Sequence, residues 1–244
     1  MMRSEGIITR ENAYEIIKKF AKEYRKELGK VPGEIIFVGG GSIILNYKFR
    51  DATQDFDVIL KTVSGVKDVI AKFADDNDLP RDWMNSDFIK TPSYSNVLPE
   101  VSKHFRTMNN GILEIRTVEG VYLIAMKLRA RREYRNDISD AIGVLVEEKN
   151  KGNNITFEDI RNAYDKLYHE AIPDELSRKI EKICSMEFQE LVSFYHRQMH
   201  SEQEIGNRVI NYIDDGANIN AKNVENVIAR IKEKLSNDSN FPHQ

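Results

Sequence analysis

The segment FVGGGSIILNYKFRDATQDFDVIL, Phe37 to Leu60, contains the features that decide the fold. A short apolar run reaches three consecutive glycines, Gly39 to Gly41, and Ser42 follows them. Glycine between a strand and a helix brings backbone N–H groups close to an anion, because no Cβ stands in the way. The glycines alone are compatible with either a tight turn or a phosphate-binding turn.

Two aspartates, Asp55 and Asp57, follow Ser42 after a spacer of twelve residues. Residues two apart in a strand share a face, so the carboxylates lie side by side while Phe56 and Val58 point into the core. Carboxylates this close repel, and a divalent cation with oxygen ligands, Mg²⁺ or Mn²⁺, relieves the repulsion. The pair predicts a metal site, and the alternative is a solvated strand end.

Composition restricts the class of protein. The 244 residues are 41% hydrophobic and 31% charged, with a formal net charge of -3, which describes a globular chain without a global attraction for nucleic acid. A single cysteine, Cys184, excludes an internal disulfide framework. No stretch approaches the roughly 18 apolar residues of a membrane span, and the N-terminus lacks a signal-peptide core. We therefore expect a cytoplasmic protein without membrane association.

Hydrophobic periodicity and turn residues predict alternating strands and helices. Helices are predicted over 9–29, 42–47, 63–73, 121–132 and 136–146, and strands over 34–38, 56–60 and 112–118. The segment 79–104, with its prolines, is predicted to be a long irregular loop. From residue 151 onward the pattern is helical.

The glycines and aspartates together resemble the signature of nucleotidyltransferases of the DNA polymerase β-like superfamily. The matching residues are Gly40, Gly41 and Ser42, then twelve residues, then Asp55, Phe56, Asp57 and Val58. Arg50 and Thr53, within RDATQDFD, are similar to residues of the abortive-infection (AbiEii-like) branch of that superfamily. Because glycines and acids agree in spacing, the joint match is more specific than either half.

A second part of the resemblance lies in YLIAMKLRARREYRNDISDAIGVL. Lys127 and Ala130, followed by Arg135, Asp137 and Asp140, are similar to a pattern of the AbiEii-like branch. The segment LPRDWMNSDF, residues 79–88, also looks like a subset of these proteins. The matches extend over residues 34–146, and the C-terminal third carries no recognised motif.

The resemblance implies an α/β (α+β) minimal nucleotidyltransferase fold, in which helices flank a short mixed sheet. We expect this domain at residues 1–148 and a helical C-terminal region at 149–244. The implied activity is Mg²⁺-dependent transfer of a nucleoside monophosphate from an NTP to a hydroxyl group. RNA, such as a tRNA 3′ end, is the implied acceptor, in a toxin of a toxin–antitoxin or phage-defence system with a cognate antitoxin as partner.

The resemblance also implies roles for individual residues. Asp55 and Asp57 would hold Mg²⁺ or Mn²⁺, and Lys127 would supply positive charge to the phosphates. Asp137 would be a further metal ligand or the base for the attacking hydroxyl. Many superfamily members place the third carboxylate on a later strand, where this chain has Glu114, so these two acids are alternatives. The nucleotide-binding set comprises Gly40, Gly41, Ser42, Arg50 and Thr53.

The run KLRARREYR, residues 127–135, has a local net charge of +4. Lys127 and Arg131 are four residues apart, so a helix would place them on one face. This stripe could meet a triphosphate or an RNA backbone, so we add Arg131 to the nucleotide-binding set. The alternative is a solvated helix face.

Two other functions compete with RNA modification. The same enzyme could modify a small molecule, such as an antibiotic, or a protein side chain. A catalytically silent nucleotide-binding partner, such as an antitoxin module, would keep the fold without turnover. Both aspartates, Ser42 and Lys127 are present, which favours an enzyme.

Overall fold

The computed structural model describes residues 8–132, 134–214, 218–220 and 223–238. The helices are α1 (Arg10–Leu28), α2 (Gly39–Asn46), α3 (Val66–Asp76), α4 (Gly120–Ala130), α5 (Asp137–Asn150), α6 (Phe157–Tyr168), α7 (Asp174–Ser185), α8 (Phe188–Asp214) and α9 (Val224–Asp238), with a 3₁₀ helix at Asp87–Lys90. The strands are β1 (Ile8–Thr9), β2 (Gly33–Phe37), β3 (Ala52–Thr53), β4 (Phe56–Lys61), β5 (Met84–Asn85), β6 (Ser102–Met108) and β7 (Leu113–Val118). Of the helices described, none has both the length and the apolar character needed to cross a bilayer.

Five strands form a mixed sheet in the order β5-β4-β2-β7-β6. The central strand β2 runs antiparallel to β4 and parallel to β7, and Phe37 lies opposite both Val58 and Thr117. The end of β2 therefore lies beside the start of β4. This juxtaposition brings the glycines that follow β2 to the edge of the sheet where Asp55 and Asp57 lie.

Both faces of the sheet are covered where β2 and β4 meet. Ile35, Phe37 and Val58 belong to a cluster formed with α1 and α3, whereas Ile36 belongs to a second cluster on the other face, formed with α4 and α5. Burial on both faces explains why β2 reads as a continuous apolar run rather than an alternating one. The predicted α+β class with a short mixed sheet is confirmed.

The C-terminal helices share the second cluster with the sheet. Tyr164 of α6, Ile180 of α7 and Tyr195 of α8 are buried in it. Helix α5 also runs through the predicted boundary at residue 148. The division into 1–148 and 149–244 stays a prediction, with these apolar contacts extending across it.

Several predicted elements have different limits in the structure. Helix α2 begins at Gly39 rather than Ser42, because the glycines themselves form its first turn. Helix α4 ends at Ala130, since Arg131 adopts a left-handed conformation with φ of 45°. The predicted loop over 79–104 is wrong in part, because it contains β5 and a 3₁₀ helix, and β6 begins at Ser102.

Candidate active site

A turn of three glycines begins helix α2 at the end of β2. Gly39 has a φ of +49°, a conformation that costs glycine little because it has no Cβ. A Cβ on Gly40 would lie 2.9 Å from Thr53 Oγ1, and one on Gly41 would lie 3.0 Å from Phe56 Cδ1. Backbone conformation therefore requires the first glycine, and close packing requires the other two.

The start of helix α2 leaves backbone donors for an anion. Val38 occupies the N-cap position and provides no side-chain hydrogen bond in the described structure. The N–H of Ser42 donates to the Val38 carbonyl at 3.1 Å, which is the first hydrogen bond of the helix. The N–H groups of Gly40 and Gly41 precede it in the first turn and lie at the helix N-terminus, where the helix dipole favours negative charge.

The paired aspartates lie beside the glycine turn. The N–H of Val38 donates to the Asp57 carbonyl oxygen at 3.0 Å, which fixes the start of β4 against the end of β2. A Cβ on Gly39 would lie 3.7 Å from Asp57 Oδ2, so this carboxylate lies against the first residue of α2. Asn85 Nδ2 donates to Asp55 Oδ2 at 2.9 Å. The structure thus brings the two halves of the sequence signature together.

Asp57 loses its proton less readily than an ordinary aspartate. Burial, and next the neighbouring Asp55, raise the pKa of Asp57 to about 6. Arg132 and Lys127 act in the opposite direction, and Asp87 adds to the rise. A cation bound between the two aspartates would remove the repulsion that raises this pKa.

The donor set fits a hard divalent cation that also binds phosphate. Mg²⁺ commonly takes one or two protein carboxylates and completes its coordination with substrate phosphates and water. Asp55 and Asp57 supply two such carboxylates next to an anion-binding helix start. Within residues 8–132, 134–214, 218–220 and 223–238, no group of three or more His, Cys, Asp or Glu side chains has the spacing of a metal site.

Lys127 belongs to a buried ionic network with acids of helix α5. Its Nζ lies 2.9 Å from Asp137 Oδ1 and 2.7 Å from Asp140 Oδ2. Asp137 is completely buried, and Arg132 donates to its Oδ2 from Nε at 2.9 Å and from the backbone N–H at 3.0 Å. Burial alone would raise the pKa of Asp137, but Lys127 and Arg132 outweigh it and hold that pKa well below its usual range.

This network bears on the predicted roles of Lys127 and Asp137. An ammonium group has three donors, so Lys127 can contact both carboxylates and still have one donor for a phosphate. An efficient general base has a pKa near the working pH, whereas the pKa of Asp137 is lowered. The geometry therefore favours charge positioning by Asp137 over proton abstraction, while its assignment as ligand or base stays a prediction.

Arg50 and Thr53 connect the glycine turn to the two acid pairs. Arg50 Nη1 lies 2.5 Å from Asp140 Oδ2, and a Cβ on Gly40 would lie 3.3 Å from the Arg50 Cζ. Thr53 Oγ1 donates to the Asp55 carbonyl at 3.0 Å. The guanidinium of Arg50 therefore lies against the glycine turn, and Thr53 holds the backbone that presents Asp55.

Within the described part of the chain, no hydrogen bond or ion pair joins the side chain of Ser42 or Arg131 to the paired aspartates: that of Ser42 bonds to β7, and that of Arg131 is exposed to solvent. Ser42 is completely buried, and its Oγ donates to the Val118 carbonyl at 3.2 Å. Arg131 is exposed and lies beyond the end of α4, so it does not continue the helical face of Lys127. Phosphate binding by either residue stays a prediction.

Glu114 lies away from the paired aspartates. Phe37 is paired with both Val58 and Thr117, so Glu114 is three residues back along β7 and two strands away from β4. At about 3.3 Å per residue and 4.8 Å per strand, more than roughly 10 Å separates it from Asp57. The Oε1 of Glu114 instead lies 3.4 Å from Arg116 Nη1 and 3.5 Å from His104 Nδ1.

Sequence reasoning missed Asn85 and Arg132 as residues of this site. Asn85 lies in LPRDWMNSDF, whose resemblance was the only available signal and assigned no role to the amide. Arg132 is one of several arginines in KLRARREYR, and charge counting does not identify which of them turns inward. The contact of Arg132 with Asp137 depends on the chain reversal after α4.

A mixed sheet that sets a glycine turn against paired carboxylates agrees with the resemblance of the sequence to nucleotidyltransferases. The family model described as "Nucleotidyltransferase of unknown function (DUF6036)" matches residues 13–182, more than half of the chain. The chain therefore belongs to this nucleotidyltransferase family. Comparison with curated proteins and with solved structures gives no match. The family supports the predicted class, and the AbiEii-like branch stays a prediction.

Proposed function

We propose that the protein transfers a nucleoside monophosphate from an NTP to a hydroxyl acceptor in the presence of Mg²⁺ or Mn²⁺. The observation that carries this proposal is the contact of Asp57 with the glycine turn, where a Cβ on Gly39 would lie 3.7 Å from Asp57 Oδ2. A helix start that attracts anions and a carboxylate pair that attracts cations share one edge of the sheet. A metal-bound phosphate satisfies both, because its oxygens suit the N–H groups and its metal suits the carboxylates.

The proposed reaction is an in-line displacement at phosphorus. The acceptor hydroxyl oxygen forms a bond to the α-phosphorus and releases its proton to solvent, the bond from that phosphorus to the α–β bridging oxygen breaks, and pyrophosphate leaves with that electron pair. Such transfers need alignment and charge neutralisation more than covalent catalysis. The metal, when bound, would supply neutralisation at the phosphates.

The residues of the chain would bind and orient the triphosphate. The N–H groups of Gly40 and Gly41 would donate to phosphate oxygens, and Lys127 would direct its third donor toward them. Asp57 must be ionised to hold a cation, and without a metal its pKa is raised to about 6, so we expect the apparent affinity for the metal to fall as the pH drops below about 6.

We further propose that RNA, such as a tRNA 3′ end, is the acceptor. Lys127 and Arg132 already form ion pairs with Asp137 and Asp140, so the positive charge for an RNA backbone would come from other arginines. In the turn between α4 and α5, Arg131 and Arg135 are exposed and would contact a phosphate backbone. A toxin role with a cognate antitoxin rests on the resemblance to the AbiEii-like branch.

Incubation with labelled NTPs, Mg²⁺ and total RNA tests the activity. Wild type should transfer label to RNA. In the Asp55→Ala, Asp57→Ala double variant the rate of transfer should fall at least about 10³-fold, because the metal that neutralises the phosphates would no longer be held. Asp51→Ala is the matched control, because this aspartate lies in the same segment with 88% of its side chain exposed. Equal incorporation by wild type and the double variant would overturn the proposal.

The acceptor is tested separately through salt dependence. Transfer to RNA should fall steeply as salt rises, and Arg135→Ala should raise the KM for RNA without changing the KM for NTP. Transfer to a small molecule would show neither effect. NTP binding without transfer to any acceptor would instead favour a catalytically silent partner module.

A further inference from the structure

Helix α8 contacts the candidate active site although it lies beyond residue 182, where the family match ends. Glu202 of α8 is only 2% exposed. Its carboxylate accepts hydrogen bonds from the N–H groups of Ile138 and Ser139, both at 3.0 Å. These are the second and third residues of α5, so Glu202 caps the helix whose first turn carries Asp137 and Asp140.

The cap on α5 is supplied from a distant part of the chain. Asn136, at the N-cap position, makes no side-chain capping bond within the described residues. A carboxylate at a helix N-terminus satisfies free N–H groups and complements the helix dipole. Burying a charged group is costly unless it is hydrogen-bonded, and both oxygens of Glu202 accept a hydrogen bond from the first turn of α5. An apolar side chain could fill the same space but would leave these N–H groups without an acceptor. The carboxylate of Glu202 is therefore suited to fixing the start of α5.

Tyr195 contacts the other segment of the site from the same face of α8. It lies seven residues before Glu202, which is close to two helical turns. Its hydroxyl donates to the Phe49 carbonyl at 3.2 Å, and its ring packs edge-to-face with the Phe49 ring at a centroid distance of 5.8 Å. The next residue, Arg50, binds Asp140 and lies against Gly40.

We propose that Glu202 and Tyr195 are positioning residues that align the cations of the active site, an inference that rests on the proposed function. Glu202 fixes the first turn of α5, and that turn sets the carboxylates that hold Lys127 and Arg50. Tyr195 fixes the backbone from which Arg50 extends. The family match ends before both residues, so α8 contributes to a site whose other proposed residues lie within residues 13–182.

Variants of Glu202 test this role. Glu202→Ala removes both hydrogen bonds, whereas Glu202→Gln retains a single acceptor oxygen and turns an NH₂ group toward the other N–H. Glu204→Gln is the matched control, because Glu204 lies on the same helix and pairs with Arg208 at the surface. Tyr195→Phe removes the hydroxyl and keeps the ring.

Three quantities are measured for each variant. They are the KM for NTP, the Kd for binding of Mn²⁺–NTP to the protein, and the rate of amide hydrogen exchange at Ile138 and Ser139. For Glu202→Ala we expect KM and Kd to rise about fivefold to tenfold, in line with loss of a helix cap, together with faster exchange. Glu202→Gln should give KM and Kd values between those of wild type and Glu202→Ala. Tyr195→Phe should raise both constants about twofold to threefold. Glu204→Gln should have the KM and Kd of wild type. A merely structural role would reduce the amount of active protein, and therefore kcat, without moving KM or Kd.

The outcomes separate this inference from the proposed function. Faster exchange in Glu202→Ala with unchanged KM and Kd would overturn the positioning role and leave the activity intact. Absence of NTP binding by wild type would overturn both. If wild type binds NTP without transferring it, Kd still tests the role. Should Glu202→Ala fail to fold, Glu202→Gln and Tyr195→Phe provide the same comparison.

Discussion

Two pairs of aspartates lie near the glycine turn, and their electrostatic surroundings are opposite. Burial and the charge of Asp55 raise the pKa of Asp57 to about 6. Burial acts on Asp137 in the same direction, yet Lys127 and Arg132 overcome it and lower the pKa of that residue. The protein's own cations form ion pairs with Asp137 and Asp140, whereas their effect on Asp57 is too small to offset its burial and the charge of Asp55.

This difference assigns the two pairs different tasks. A buried acid matched by cations and hydrogen bonds is a structural element, and removing one partner leaves an uncompensated charge. A partly buried carboxylate whose pKa stays raised, as that of Asp57 does, costs stability when it is ionised, until a cation binds. The pair at Asp55 and Asp57 is therefore suited to an external metal, and the pair at Asp137 and Asp140 is suited to holding Lys127 and Arg50 in place.

The largest effect on stability is expected from Asp137→Ala. The substitution removes the carboxylate that buried Lys127 shares with the exposed Arg132, but Lys127 keeps Asp140 as a partner. We therefore expect a loss of about 3 kcal/mol in the free energy of unfolding, the lower end of the range for breaking a buried ion pair. Urea denaturation at pH 7 measures it. Since the folded pKa of Asp137 is lowered, wild type should itself lose this stabilisation as the pH falls below about 4.

The control for this variant is Glu158→Ala, which breaks an exposed ion pair with Arg161 at 2.6 Å. Exposed pairs of this kind contribute about 0.5 kcal/mol or less. If Asp137→Ala and Glu158→Ala lose similar amounts, the cations around Asp137 do not form a coupled network, and the contrast between the two aspartate pairs would disappear.

Asp57→Asn is expected to increase the stability of the protein, whereas Asp137→Ala decreases it. Because the folded pKa of Asp57 is about 6 and an unfolded aspartate has a pKa of about 3.9, the folded protein binds the proton more readily between these values. Wild type therefore loses stability from this residue as the pH rises through about 6. We expect Asp57→Asn to be more stable than wild type by about 1 to 2 kcal/mol at pH 8, and by little at pH 4.

Thermal unfolding at pH 4 and pH 8 measures this difference. Asp51→Asn is the control, because this side chain is 88% exposed, and the variant should be as stable as wild type at both pH values. A variant at position 57 that is less stable than wild type at pH 8 would show that the charge of Asp57 is compensated within the protein. The contrast with Asp137 would then be wrong.

Local patterns in the sequence predicted the contact at the glycine turn. A strand that ends in glycines and a second strand that begins with alternating acids are both short-range signals, and the pairing of Phe37 with Val58 brings them together. The strand containing Phe56 and the helix capped by Thr9 follow equally from periodicity and capping. In each case the information lies within a few neighbouring residues.

The ionic network could not be predicted in the same way. Helical spacing placed Lys127 and Arg131 on one face, but α4 ends at Ala130, and the arginine that contacts Asp137 is Arg132. Glu202 reaches Ile138 across 64 residues of sequence, and no spacing rule connects them. Strand β6 was missed because its edge position exposes most of its side chains, which leaves a polar pattern.

The smallest effect in this comparison is expected from Gly39→Ala, with Gly152→Ala as its control. Both glycines have positive φ, +49° and +85°, so an alanine at either position should lose about 1 kcal/mol of stability. A Cβ on Gly152 would meet nothing within 4 Å, whereas a Cβ on Gly39 would lie 3.7 Å from Asp57 Oδ2. If the phosphate lies between the glycine turn and the aspartates, only Gly39→Ala should weaken Mn²⁺–NTP binding, which titration calorimetry measures. Equal NTP affinity of the two variants would mean that this gap is a packing feature of the fold rather than the place where the triphosphate binds.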